Sequence, residues 1–333
     1  MKKLFSLCLL CLLLCACQNK SYQKDAGEIF RTSYHITYQH PRSLQSGIDK
    51  ALQGINESLS MFNPNSTLSR INQAGVEAVD LSHDALALHL IGEGLKISRL
   101  TEGAFDMTVA PLVNLWGFGF SKSEDATQEA IDSILQFVGH EKLCLQGTSV
   151  QKHDARLMLD ASAIAKGYAC DVVADYLESQ GIENYLVEIG GEIRLRGHNE
   201  KGNIWTVGID KPIEDPAAVQ RELQIAIQLK DKAMATSGNY RNFYLNGNRK
   251  VAHTINPATG YPVQHSLLSA TVIADNCLTA DALATSFMVM GKDKAIALLE
   301  KQPDIWAYLI YSDENGHLQT WHSSALEPFL KEL

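Results

Sequence analysis

The chain has 333 residues, 45% of them hydrophobic, and a formal charge of −9 at pH 7. That length can bury a large core and suits one big domain or two interleaved subdomains. Its acidity makes it a poor partner for nucleic acid or anionic lipid surfaces, and Cys144, Cys170 and Cys277 have neither the spacing of a zinc site nor that of a disulfide framework.

Lys2 and Lys3 precede an apolar run over residues 4–14 that is too short to span a bilayer, so it reads as an export signal. The run ends in Leu14-Cys15-Ala16-Cys17, which resembles a bacterial lipobox and implies cleavage after residue 16 and acylation of Cys17. A plain secretory signal is the alternative. Gln18 gives no argument for either membrane. Residues 1–16 are then a signal peptide, 17–27 a lipidated tether and 28–333 the body. Of the remaining cysteines, buried thiols are the default reading, with one oxidised pair left open.

Residues 33–38 alternate like a strand. Ile48, Leu52, Ile55 and Leu59 recur at helical spacing. Ser82 is a candidate cap for a helix through Leu86, Leu90, Leu95 and Ile97, with Gly103 beyond its end. Residues 126–138 read as a helix stopped by Gly139, 156–159 as a short strand, and 162–180 as a helix stopped by Gly181. Strands are expected at 184–189 and 193–196 around Gly190-Gly191, then at 204–209, 223–229, 243–245 and 267–274. A helix over 276–290 and a strand over 305–310 follow. Mixed helices and largely antiparallel strands predict an α+β fold, with α/β as the alternative. No G-x-G-x-x-G follows a strand.

Asp281 and Thr285 lie four residues apart on the last long helix, so they share a face. Oxygen donors in small number suit Mg²⁺, which takes its other ligands from water and phosphate; a dipole-stabilised Asp and a packed Thr are the bland reading. Asp160 sits where a strand end would meet a helix start, and Lys166 on that helix's first turns opposes the helix dipole, as a residue meeting an anion would. A capping Asp160 and a solvated Lys166 remain open. Asp106 lies among Gly103, Ala104 and Phe105, in a loop where it could hydrogen-bond a heterocycle, while Trp116 reads as core. His253, before the Pro257-Ala258-Thr259-Gly260 turn, has the near-neutral pKa of a general base; His35, His83, His140, His198 and His317 read as surface residues.

Seven segments together resemble the FAD:protein FMN transferases, the ApbE family of periplasmic flavin-handling lipoproteins. They are residues 103–106, 114–119, 164–168, 189–192, 235–241, 255–260 and 280–285, and the similarity runs from about Gly27 to the end of the chain. The resemblance implies a T-fold-like α+β body of two interleaved subdomains with an FAD cleft between them. It implies transfer of FMN from FAD to a Thr or Ser hydroxyl of an acceptor protein, with release of AMP. It implies acceptors among the subunits of membrane redox pumps, the Rnf and sodium-translocating NADH:quinone reductase complexes. In family terms Mg²⁺ is held by the Ala163 carbonyl and the Asp281 and Thr285 side chains, FAD is contacted by Phe30, Phe62, Ala104, Phe105, Asp106, Asp160, Lys166 and Ile255, and His253 is the base. The chain departs from the family pattern at Phe30-Arg31-Thr32, where Met-Gly-Thr is usual, at Ser162-Ala163, where a Gly pair is commoner, and at Ala284, where some members carry Asp. Arg31 lacks a glycine's backbone freedom. An Mg²⁺-dependent FAD pyrophosphatase and a non-enzymatic FAD-binding lipoprotein are the competing functions.

Overall fold

The computed structural model describes residues 21–119, 126–213, 222–239, 243–246 and 249–332. The signal segment, Cys17 and the Tyr240-Arg241 end of the 235–241 segment lie outside the described residues.

Strands β1 (Tyr22–Ile29) and β2 (Thr32–Gln39) form a hairpin with a two-residue turn. Both turn residues take left-handed backbone angles, φ 52° at Phe30 and 61° at Arg31, as the twist of such a hairpin demands. Arg31 thus adopts the conformation that a glycine would take with less strain. Because β1 begins at Tyr22 and buries Asp25 against Tyr38, residues 22–27 belong to the body and not to a tether.

The chain then leaves this hairpin for α1 (Gln45–Leu59), α2 (Thr67–Gln73), β3 (Val79–Asp80), α3 (Ala85–Leu100), α4 (Ala110–Leu115) and α5 (Gln128–Leu135). Strands β4 (Leu143–Gln146) and β5 (Ser149–Lys152) complete a small sheet in the order β3-β5-β4. Asp84, not Ser82, caps α3, its carboxylate accepting from the Ala87 amide. The expected strand at 156–159 is not one. Leu159 is instead bracketed by the Asn72 side chain, which accepts from its amide at 2.7 Å and donates to its carbonyl at 3.0 Å.

The second half supplies α6 (Ala165–Ser179), β6 (Tyr185–Ile189), β7 (Glu192–Arg196), β8 (Trp205–Asp210), β9 (Leu223–Leu229), β10 (Lys232–Gly238), β11 (Phe243–Asn246), β12 (Arg249–Ala252) and β13 (Leu267–Ala274). It closes with α7 (Cys277–Met290), α8 (Lys292–Leu299), β14 (Trp306–Ser312), β15 (Leu318–His322) and β16 (Leu330–Lys331). Eight strands join in one antiparallel sheet, β1-β2-β6-β7-β10-β13-β14-β15. The early hairpin and the late strands therefore share a sheet across the intervening residues 45–164, which is how the two parts interleave.

Alternation along the sheet divides its two faces. Ala233, Ala235 and Val272 point into the large core with α1, α6 and α7, whereas Met234 and Ile273 point to a second core under the sheet β16-β9-β8. Helix α7 is buried almost all round, from Cys277 through Val289, as a central helix must be when it is apolar on every face. A third, small cluster of Leu112, Phe137, Val138 and Ile255 supports the far wall of the functional cleft. No helix among the described residues is long and apolar enough to cross a membrane.

Candidate active site

Helix α7 begins on a fully satisfied N-terminus. The Asp171 carboxylate of α6 accepts from the Cys277 and Leu278 amides, both at 2.8 Å, and Asn276 accepts from the Thr279 amide. This fixes α6 and α7 side by side. Their closest approach is at Gly167, where a Cβ would stand 2.3 Å from the Cys277 carbonyl, so a side chain there would force the helices apart. The contact puts the Gly167 amide 2.9 Å from Asp281 Oδ2 and Lys166 Nζ 3.8 Å from the same oxygen.

Asp281 is 3% exposed, which for a carboxylate requires partners. It has those two on Oδ2, and it lines the cleft. Thr285, one turn on, meets Ser237 Oγ of β10 at 3.1 Å. The Thr236-Ser237-Gly238 island is therefore the end of β10 where it faces α7, and all three residues line the cleft with Thr285.

Lys166 forms an ion pair with Glu192 at 2.9 Å. Burial pulls the ammonium's pKa down, but the Asp281 and Glu192 charges outweigh it and hold Lys166 above its ordinary value. Glu192 is pushed up to about 7, chiefly by burial, with Lys166 pulling it back and Asp281 adding to the rise. Its Oε2 is buried without a hydrogen-bond partner.

Asp160 accepts from the Ser162 amide at 2.7 Å in a tight turn, and burial pushes its pKa up. Since α6 starts at Ala165, Asp160 is not that helix's cap. Asp106 anchors a loop crossing. Oδ1 takes the Thr108 amide and hydroxyl, and Oδ2 takes the His140 amide, all at 2.7 Å. A carboxylate offers about four lone-pair sites, so Asp106 retains acceptor capacity toward the cleft. His140, expected at the surface, is half-buried: its imidazole lies 3.8 Å from Asp106 Oδ2, and that contact raises its pKa against the effect of burial.

Asp106, Asp160, Lys166, Glu192, Ser237, Asp281 and Thr285 border one cleft of about 490 Å³, within the roughly 300–1,000 Å³ of small-molecule sites. It gathers Phe62, Ala104, Phe105, Asp106, Asp160, Ala163, Lys166, His253, Ile255, Asp281 and Thr285. Phe30 alone of the described sequence-predicted site residues lies outside it. Phe30 lines an adjoining, mainly apolar cavity that shares Met61, Phe62, Ser162 and Lys166 with the cleft. His253 follows β12 and sits edge-on to Phe118, ring centres 6.3 Å apart, with Phe118 packed in turn on Tyr244. Trp116, expected as core, packs beside the third cluster on Tyr261 and donates to the Gly260 carbonyl, bracing the turn after Ile255.

A profile of the ApbE family matches residues 30–309. The chain belongs to the ApbE family. It is 40% identical over 330 residues to the FAD:protein FMN transferase of Vibrio cholerae serotype O1, covering 96% of this chain and 97% of that protein. Against the FAD:protein FMN transferase of Escherichia coli strain K12 it is 34% identical, covering 92% and 88%. Among solved structures it superposes on the flavin transferase ApbE from Vibrio cholerae with a TM-score of 0.83, covering 93% of this chain and 99% of that one, at 40% identity. The apo flavinyl transferase ApbE of Pseudomonas stutzeri gives 0.82 at 30% identity, covering 93% and 96%. The mixed α+β fold with an open antiparallel sheet is thus that of the ApbE structures.

Among the described residues no cluster of three or more His, Cys, Asp or Glu could hold a metal. The Asp281 carboxylate and the Thr285 hydroxyl, one turn apart on the cleft wall, are instead a sparse, oxygen-only donor pair, which fits a hard cation completed by phosphate oxygens. Sequence reasoning gave Glu192 no role. The signal was there: Ile189 points into the core, the two-residue Gly190-Gly191 turn pairs it with Glu192, and paired residues share a face.

Proposed function

We propose that this chain is an Mg²⁺-dependent flavin transferase, moving FMN from FAD to a Thr or Ser hydroxyl of an acceptor protein and releasing AMP. The observation that carries the reading is the convergence, on one cleft of ApbE-family architecture, of an imidazole, a half-buried lysine and an oxygen-only donor pair. Relatives named as FAD:protein FMN transferases over nearly the whole chain length support the substrate.

In this reading Asp281, Thr285 and the Ala163 carbonyl hold the cation, which supplies Lewis-acid stabilisation of the diphosphate when bound. Lys166 adds a positive charge at the cleft wall. His253 takes the proton of the acceptor hydroxyl as that oxygen bonds to the FMN-side phosphorus. The bond from that phosphorus to the bridging oxygen breaks, and AMP leaves with the electron pair. Phe62 and Phe105 offer flat apolar surface to a ring system. The acceptors we propose are subunits of membrane redox complexes of the Rnf or sodium-translocating NADH:quinone reductase type. The enzyme would work on the periplasmic side of a membrane, held by lipid at Cys17. The lipobox-like sequence supports this placement, and family resemblance supports the acceptors.

The test is incubation with FAD, Mg²⁺ and a purified acceptor subunit. Transfer gives in-gel flavin fluorescence on the acceptor together with AMP. Free FMN and AMP without acceptor would make the protein a pyrophosphatase, and intact bound FAD alone would make it a carrier.

A further inference from the structure

Glu192 has no part in the chemistry above, yet it is the least satisfied polar residue of the cleft. It opens β7 directly after the Gly190-Gly191 turn, whose φ values of 63° and 101° suit glycine. The turn aims the side chain inward, where it is 4% exposed. Oε1 holds Lys166 Nζ at 2.9 Å, while Oε2 is buried and unpartnered. The same ammonium lies 3.8 Å from Asp281 Oδ2. One lysine is thus shared between two carboxylates, hydrogen-bonded to Glu192 and only electrostatically near Asp281.

We propose that Glu192 is a positioning residue: by retaining the Lys166 ammonium on its own carboxylate it prevents that ammonium from closing onto Asp281, and so keeps Asp281 available to a divalent cation. The inference rests on the reading of Asp281 as a cation ligand. An ammonium and a divalent cation compete for one carboxylate, and where that carboxylate is buried, as Asp281 is, water weakens the competition less than it would at the surface. With Glu192 in place the cluster keeps a net negative charge after the lysine is neutralised. The unpartnered Oε2 gives the lysine a second oxygen to bind when the arriving cation repels it from Asp281. Lysine has three donors and can use both oxygens of one carboxylate. Remove the Glu192 charge, and Lys166 has Asp281 as its one remaining counter-ion among the described residues.

The experiment is direct Mn²⁺ binding, read from the loss of the free-ion EPR signal, on the full chain with FAD present. Four proteins are compared: wild type, D281A, E192Q and the double variant K166M/E192Q. We expect E192Q to weaken Mn²⁺ binding about tenfold or more, the effect of a competing charge beside a buried carboxylate. The double variant should return to within about threefold of wild type, because it restores the cluster's net negative charge and removes the competitor. E192D, which keeps the carboxylate, should stay near wild type, and melting curves check that each variant is folded. Equal affinity of E192Q and wild type overturns the proposal. So does a double variant as weak as E192Q, since Glu192 would then act other than through Lys166. If D281A binds Mn²⁺ as tightly as wild type, the cation reading of Asp281 itself is at fault, a failure distinct from the other two.

Discussion

At His253 the informative contact is with Phe118, whose ring meets the imidazole edge-on at 6.3 Å. That packing helps to orient the ring in the cleft. His253→Ala should therefore leave FAD affinity within a few-fold while slowing transfer by roughly 10² to 10⁴, the usual range for a general base. Flavin fluorescence titration and single-turnover transfer rates measure the two separately; a rate unchanged across pH would remove the base role. Asp281 is the opposite case, a buried carboxylate whose known partners are an amide and a lysine. Asp281→Ala should abolish turnover and with it any dependence of flavin binding on Mg²⁺. Full activity that still requires Mg²⁺ would place the cation elsewhere. Both residues were legible in the sequence, because each is a polar residue in a motif that a core has no use for. Asp160 and Lys166 were legible in type but not in arrangement: the turn at 160–164 delays the helix, and the partner of Lys166 comes from β7, 26 residues away in sequence on an element that only tertiary pairing brings near.

Helices α6 and α7 act as a unit because Asp171 of one caps the other. Burial pushes Asp171 up to about 6, although the Cys277 and Leu278 amides and Arg194 pull it down. A carboxyl whose pKa is higher in the folded than in the unfolded state binds its proton more tightly when folded. Its contribution to stability is then largest below about pH 4 and is lost as pH rises toward 6. Two units correspond to about 3 kcal/mol at most. Asp171→Asn should abolish that fall between pH 4 and 6.5 while lowering stability overall by about 1–3 kcal/mol, because a charged acceptor of two amides is gone. Denaturant titrations of both proteins across that range decide it, and parallel pH profiles would count against the assignment. Helix α7 was legible, expected over 276–290 and found over 277–290 with Asn276 as its cap. Asp171 was not, since it reads as an ordinary polar position within α6. The strand expected at 156–159 shows the converse: Leu157 and Leu159 are buried, but backbone pairing is limited to a single bridge from Met158 to Val109, and the Asn72 side chain serves as the partner of Leu159.

For the whole molecule, the order of strands was the least legible feature. Alternation identified β6, β7, β9 and β13 because their inward faces are large and apolar. It could not place β1, an edge strand with a largely polar sequence, or β10, whose inward residues are Ala233 and Ala235 and which is central because small side chains let α7 approach. The body that results starts at Tyr22, so between Cys17 and the sheet there remain only residues 18–21. A lipid at Cys17 would then hold the fold close to the bilayer surface, within reach of acceptors embedded in the same membrane. Electrostatics cannot supply that attachment, because the chain carries a formal charge of −9 and the cleavage expected after residue 16 would remove Lys2 and Lys3 as well. In the proposed placement the attachment would be hydrophobic, at about 0.8 kcal/mol for each buried lipid CH₂. Cys17→Ser should therefore move the protein from the membrane to the soluble fraction in one step. It should leave the transfer rate to a detached, soluble acceptor domain unchanged, since the cleft is built from residues far along the chain. Transfer to an acceptor left in its membrane should fall, because the enzyme is no longer concentrated on the same surface. Fractionation and the two transfer assays test the three statements in turn. A variant that stays in the membrane fraction would show that something other than Cys17 anchors the chain.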